Sequence, residues 1–222
     1  MKSLKGNYLA LILSLISINI YSQESKDMKP ASAEEKAMMA YMTPGKMHEM
    51  LAKSTGVWTE AVTMWMSHDA PPMKSNMTTM NRMVMGNRYL QGMHRGNFNS
   101  MAFEGISTVG YDNAKNIFMS TWIDNMGTGI MYMEGKWNEV SKSIEFNGTM
   151  VDPMSGTDMK IRQIMKFVDD NNQLLQMYAT PKGGKEYKSM EIKYSKKQEM
   201  RSSFSKTPPP PVTTPVPQEK KN

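Results

Sequence analysis

A chain of 222 residues without a single cysteine has no disulfide, no thiolate metal site, no thiol nucleophile and no lipid carried on an N-terminal cysteine. Its formal charge of +6 is concentrated toward the ends. Residues 44–197 carry only +3, from eighteen basic and fifteen acidic side chains with no basic run, which argues against a nucleic-acid partner.

The chain opens on Lys2 and Lys5, an apolar run from Tyr8 to Ile20, and small Ser22 before Gln23. That order marks residues 1–22 as a cleaved secretory signal peptide. Thirteen apolar-run residues are too few for a stable membrane anchor, so the mature protein is expected to be exported, either periplasmic or secreted. Residues 23–43 form a polar, Met-rich linker whose helix formers from Ala33 to Met42 lack caps. A better helix follows, with Thr43 as N-cap, Pro44 at its first position, Met47, Met50 and Leu51 on one face, and Gly56 just past its end.

From Val57 the apolar period changes to two. Trp58, Val62, Met64 and Met66 alternate with Thr59, Ala61, Thr63 and Trp65. His68-Asp69-Ala70-Pro71-Pro72 breaks this strand, and Lys74–Met85 resumes it. Gly86-Asn87 predicts a two-residue hairpin turn, Arg88–Gly92 the return strand, and Gly96-Asn97 a loop. A turn pattern then recurs at Gly110–Ile117, Gly135–Lys142 and Phe167–Leu174: an aromatic strand ends in Asp or Asn, whose short side chain bonds its own backbone. Further strands are expected at Ser143–Val151, Asp158–Val168, Gln173–Thr180 and Glu186–Ser195.

The count is about ten antiparallel strands with no helix long enough for a parallel crossover. Such a meander leaves exposed edges unless it closes, so the expected fold is an all-β, up-and-down antiparallel barrel over residues 44–197, its short helix covering one end. A flat or sandwiched sheet is the competing arrangement. A barrel of this size has room for a small ligand. After Lys197 the Pro-rich residues 198–222 are expected to be a disordered tail.

The segments APPMKS (70–75), FEG (103–105), GYDNAKN (110–116), TWIDNMGTG (121–129), DPMSG (152–156) and MEIKYSKK (190–197) resemble a bacterial family, domain of unknown function 1579. Gly56-Val57-Trp58 resembles the G-x-W start of lipocalins. The resemblance covers roughly residues 44–197 and implies a lipocalin-like, calycin-type barrel in often exported proteins. It implies no catalytic residues.

Function therefore has to be argued from side chains. His48, His68 and His94 have no metal-ligand spacing and are expected to be solvent-exposed, and no metal or cofactor is expected. No G-x-S-x-G or phosphate loop is present. Glu104 shares a strand face with Ala102 and Ile106, Asp124 with Trp122, and Glu134 with Ile130 and Tyr132. A carboxylate among apolar neighbours either faces solvent or enters the barrel, where burial perturbs it. Trp122, Asp124, Glu104 and Arg88 are the leading pocket candidates, joined by Tyr111, Glu134 and Arg162.

Methionine is the compositional oddity, 27 of 222 residues. It serves as adaptable core filler where Leu and Ile are scarce, or, through pairs such as Met64/Met66, Met83/Met85 and Met131/Met133, as soft ligands for Cu(I). Three functions remain in play: a module binding a small, partly apolar ligand in its lumen, an enzyme using luminal Glu104 or Asp124 as acid or base, and a Cu(I)-binding protein. Oligomeric state is not legible.

Overall fold

The structure, a computed structural model, describes residues 31–198; the signal-peptide expectation and most of the tail lie outside them. Helix α1 covers Ala33–Met42 and α2 covers Lys46–Ala52. Ten strands follow, β1 Gly56–Met64, β2 Met73–Val84, β3 Tyr89–Phe98, β4 Met101–Asp112, β5 Ile117–Asp124, β6 Met131–Asn138, β7 Ser143–Asp152, β8 Thr157–Phe167, β9 Asn172–Thr180 and β10 Tyr187–Lys196.

Each strand pairs antiparallel with its chain neighbours, and β1 pairs with β10 from Trp58↔Lys196 to Met64↔Met190. The sheet is thus a closed ten-strand up-and-down barrel without edges, rather than a sandwich. Side chains alternate between wall and lumen: along β1, Trp58, Glu60 and Val62 are buried while Val57, Thr59 and Ala61 are exposed.

The turns follow from short polar side chains. Asp112 Oδ1 accepts from the Ala114 and Lys115 N–H groups, and Asn138 Oδ1 from Val140 and Ser141. Asp152 and Asp169 do the same for Met154 and Asn171, so the recurring sequence pattern is one turn chemistry used repeatedly. The β2–β3 connection differs from expectation. Four residues, Met85–Arg88, join Val84 to its partner Tyr89, and Met85, Gly86 and Asn87 have φ of 50°, 63° and 63°. Gly96 and Asn97 lie inside β3, and the turn that follows is Asn99-Ser100.

Helix α2 begins later than expected. Its N-cap is Gly45, whose N–H donates to His48 Nδ1 at 3.1 Å, so Thr43 and Pro44 precede the helix. Leu51 on α2 is buried with Phe118, Met133, Ile144, Phe146 and Ile161, which closes the barrel end carrying the Met85–Arg88 and Asn113–Asn116 turns. Ser54 then ties the helix exit to the wall. Its carbonyl accepts from Trp58 Nε1 (2.9 Å) and Asn81 Nδ2 (3.1 Å), and its hydroxyl from Gln173 Nε2 (2.8 Å). Gly56, with φ of 116°, turns the chain into β1 where a side chain would be strained.

Helix α1 is fully helical from Ala33 to Met42, and it does have a cap. Ser32 N–H donates to Glu35 Oε2 at 2.7 Å and Glu35 N–H to Ser32 Oγ at 3.2 Å, a capping box. The carbonyls of Ala40, Tyr41 and Thr43 accept from Asn113 Nδ2.

Candidate functional site

The barrel encloses a cavity of about 310 Å³. Its walls are mostly apolar, with Val62, Leu90, Val109, Phe146, Leu175 and Ile192 among them. Methionine supplies much of the remainder: Met64, Met77, Met131, Met133, Met165, Met177 and Met190 all line it. Unbranched thioether side chains adapt to an irregular lumen, the packing role expected of them.

A band of polar side chains crosses the wall at the level of Glu60. This carboxylate is only 2% exposed, yet no sequence expectation placed it inside. Glu60 Oε1 accepts from Thr79 Oγ1 and lies 2.7 Å from His94 Nδ1. His94 Nε2 lies 3.0 Å from Ser107 Oγ. Successive strands β1, β2, β3 and β4 each contribute one member, because Thr79↔His94 is a register pair and neighbouring positions face the same lumen. His94 is 6% exposed, so it is not the surface histidine expected; nor is His48, which is buried against the Tyr111 ring. Burial, followed by the nearby Arg88 charge, holds the His48 imidazole below its usual range, against the opposing pull of backbone hydrogen bonds at Tyr111 and Gly45. Only His68 is a surface residue.

Strand β5 continues the band. Trp122 and Asp124 both line the cavity. The Trp122 ring meets His94 edge-on with centroids 4.9 Å apart, and stacks near-parallel on Phe103 at 6.3 Å. Its Nε1–H donates to Asp124 Oδ2 at 2.6 Å, while Asp124 Oδ1 accepts from the Met126 and Gly127 backbone. Asp124 therefore orients the indole and caps the turn after β5. Tyr194, also buried, has its hydroxyl pKa pushed well above the ordinary tyrosine value by burial and by the Glu60 charge.

The other candidates are not gathered here. Glu104 points outward with Ala102 and Ile106 and pairs with Arg95 at 3.2 Å on the surface. Its strand neighbours Phe103 and Gly105 take the inner face, so luminal acid–base chemistry at Glu104 has no basis. Arg88 sits in the β2–β3 turn and donates to the carbonyls of Met85, Gly86 and Met42. Glu134 is on the outer face, accepting from Tyr132. Arg162 is also outside the lumen, forked onto Glu186 at 3.0 and 2.7 Å and lying over the Tyr178 ring. Tyr111 does not line the cavity; it packs on Phe118, and its hydroxyl donates to Asn116.

The methionine pairs divide likewise. Met66 lies beyond β1 and Met85 in a turn, both exposed, so Met64/Met66 and Met83/Met85 are not pairs on one strand face. Met131 and Met133 both face the lumen.

Residues 43–196 match the family described as "Protein of unknown function (DUF1579)". This is well over half of the chain, which therefore belongs to that family. A search of curated proteins found no match.

Proposed function

We propose that this DUF1579 protein holds a small, neutral, largely apolar molecule in its barrel lumen. The observation that carries the reading is the cavity of about 310 Å³, mostly apolar in its lining, at the lower end of ordinary small-molecule sites. Charge refines the ligand class. Glu60 and Asp124 are carboxylates, His94 is the basic partner of one of them, and among the described residues no Lys or Arg lines the cavity. An alcohol, ester, ketone or small aromatic is thus favoured over a carboxylate of the same length, whose charge would face Asp124 across a low-dielectric space.

Thermal-shift measurements with ligands sharing a ten-carbon chain test the reading. Decanol and methyl decanoate should raise the melting temperature, and decanoate should raise it less. No stabilisation by any of these or by small aromatics would remove the proposal.

Export belongs to the same proposal. Lys2, Lys5 and the Tyr8–Ile20 run support it, and a mature N-terminus at Gln23 in the secreted or periplasmic fraction would be its direct test.

A further inference from the structure

We infer that Ser107, His94 and Glu60 form a hydrolytic triad within the lumen, with Ser107 Oγ the nucleophile toward a neutral, apolar ester. The inference rests on luminal binding and adds chemistry to it. The three side chains lie in the order carboxylate, imidazole, hydroxyl: Glu60 Oε1 to His94 Nδ1 is 2.7 Å, and His94 Nε2 to Ser107 Oγ is 3.0 Å. A triad is recognised by such geometry rather than by chain order. In the tautomer that donates from Nδ1 to the Glu60 carboxylate, the Nε2 lone pair faces the serine. Thr79 donates to the same carboxylate oxygen and holds it in place.

Two observations go beyond a satisfied buried histidine. The row is asymmetric in exposure: all three side chains line the cavity, but Glu60 is only 2% exposed whereas Ser107 is half-buried, so the hydroxyl is the more accessible end. Gly92 leaves room for it. A Cβ there would stand 2.6 Å from Ser107 Oγ and 2.9 Å from His94 Nε2, displacing both. It would also stand 2.6 Å from Asn81 Oδ1, which places the Asn81 amide beside the serine. Asn81 turns Oδ1, an acceptor, toward this space and Nδ2 toward the Ser54 carbonyl, so it braces the wall beside the serine.

In the first step Ser107 Oγ bonds the ester carbonyl carbon and its proton passes to His94 Nε2. Glu60 stabilises the imidazolium. The carbon–oxygen bond to the alcohol then breaks, and the Nε2 proton goes to the leaving oxygen. Water next attacks the acyl carbon, gives a proton to Nε2, and releases the carboxylic acid as the proton returns to Ser107. The acid ionises in a lumen that already holds Glu60 and Asp124, which favours its departure.

The test uses the mature full chain with p-nitrophenyl butyrate, octanoate and decanoate, and separately with a fluorophosphonate followed by peptide mass mapping. Nitrophenol release above the buffer rate and an adduct on Ser107 are expected. Ser107→Ala, with its fold checked by circular dichroism, should lose at least about 100-fold of the activity and all of the labelling. Glu60 is a positioning residue, so Glu60→Gln should alter the pH–rate profile as well as the rate. Labelling of no serine or of another serine, or wild-type hydrolysis by Ser107→Ala, would overturn the inference. Wild-type stabilisation by decanol, measured in parallel, separates the outcomes: if it persists, only the chemistry falls, and if it is absent, luminal binding falls too.

Discussion

His94 Nδ1 and Glu60 Oε1 stand 2.7 Å apart inside the barrel wall, from strands that are not hydrogen-bonded neighbours. Thr79, on the strand between them, bonds to both. Removing one member of such a buried pair leaves the other without its partner, at a cost of about 3–5 kcal/mol. Glu60→Ala should therefore lower the melting temperature by roughly 10 °C for a domain of this size. Glu60→Gln keeps an acceptor for Nδ1 and should lose less. Calorimetric melts of the two variants decide this, and equal losses would contradict the carboxylate's role as shared acceptor.

Gly92 should tolerate no side chain. Its Cβ position lies 2.6 Å from Ser107 Oγ and Asn81 Oδ1, so Gly92→Ala is expected to cost about 1–3 kcal/mol and to shift the His94 imidazole resonances. Gly127→Ala, where a Cβ meets nothing within 4 Å, should stay within about 0.5 kcal/mol of the parent.

Stability should fall with acidity through His48. Its folded pKa lies below the ordinary value near 6.5 because burial disfavours the charged ring, so the unfolded chain takes up the proton first. The contribution is complete above pH 6.5 and is lost as pH falls from there toward the depressed folded value. Denaturant melts between pH 7.5 and 5 should show a shallower decline for His48→Gln than for the wild type. Identical slopes would exclude His48 as a source of the linkage.

Leu51 is the apolar stopper at the closed end. Leu51→Ala should cost about 2–5 kcal/mol, and it should lengthen the lumen toward α2. Alcohols longer than decanol should then gain relative stabilising power, read from thermal shifts across a chain-length series.

Strand existence and turn chemistry were legible in this sequence because period-two alternation and Asp or Asn at turn starts are local signals. Asp112, Asn138, Asp152 and Asp169 all act as their residue type implies. Direction was harder. Ala102, Glu104 and Ile106 look like an inner stripe, but Phe103 and Gly105 take that face. Glu60 sits at the period-two position between Trp58 and Val62, so alternation alone places it inward, while its charge argues for the outer face. Gly96 suggested a loop but marks a close approach to Met77 and the Asn76 backbone within β3. The Ser32–Glu35 capping box follows the local S-x-x-E spacing and so is legible in the sequence. The meeting of Glu60, His94 and Ser107 was not readable: 34 and 13 residues separate them, and only strand register brings them together.

The methionines offer the most direct test of luminal binding. In ¹³C-methyl spectra of methionine-labelled protein titrated with decanol, resonances of Met64, Met77, Met131, Met133, Met165, Met177 and Met190 should move saturably. Those of exposed Met66, Met85 and Met154 should stay fixed. Shifts confined to the exposed methyls, or none with decanol, methyl decanoate or small aromatics, would contradict a ligand in the lumen.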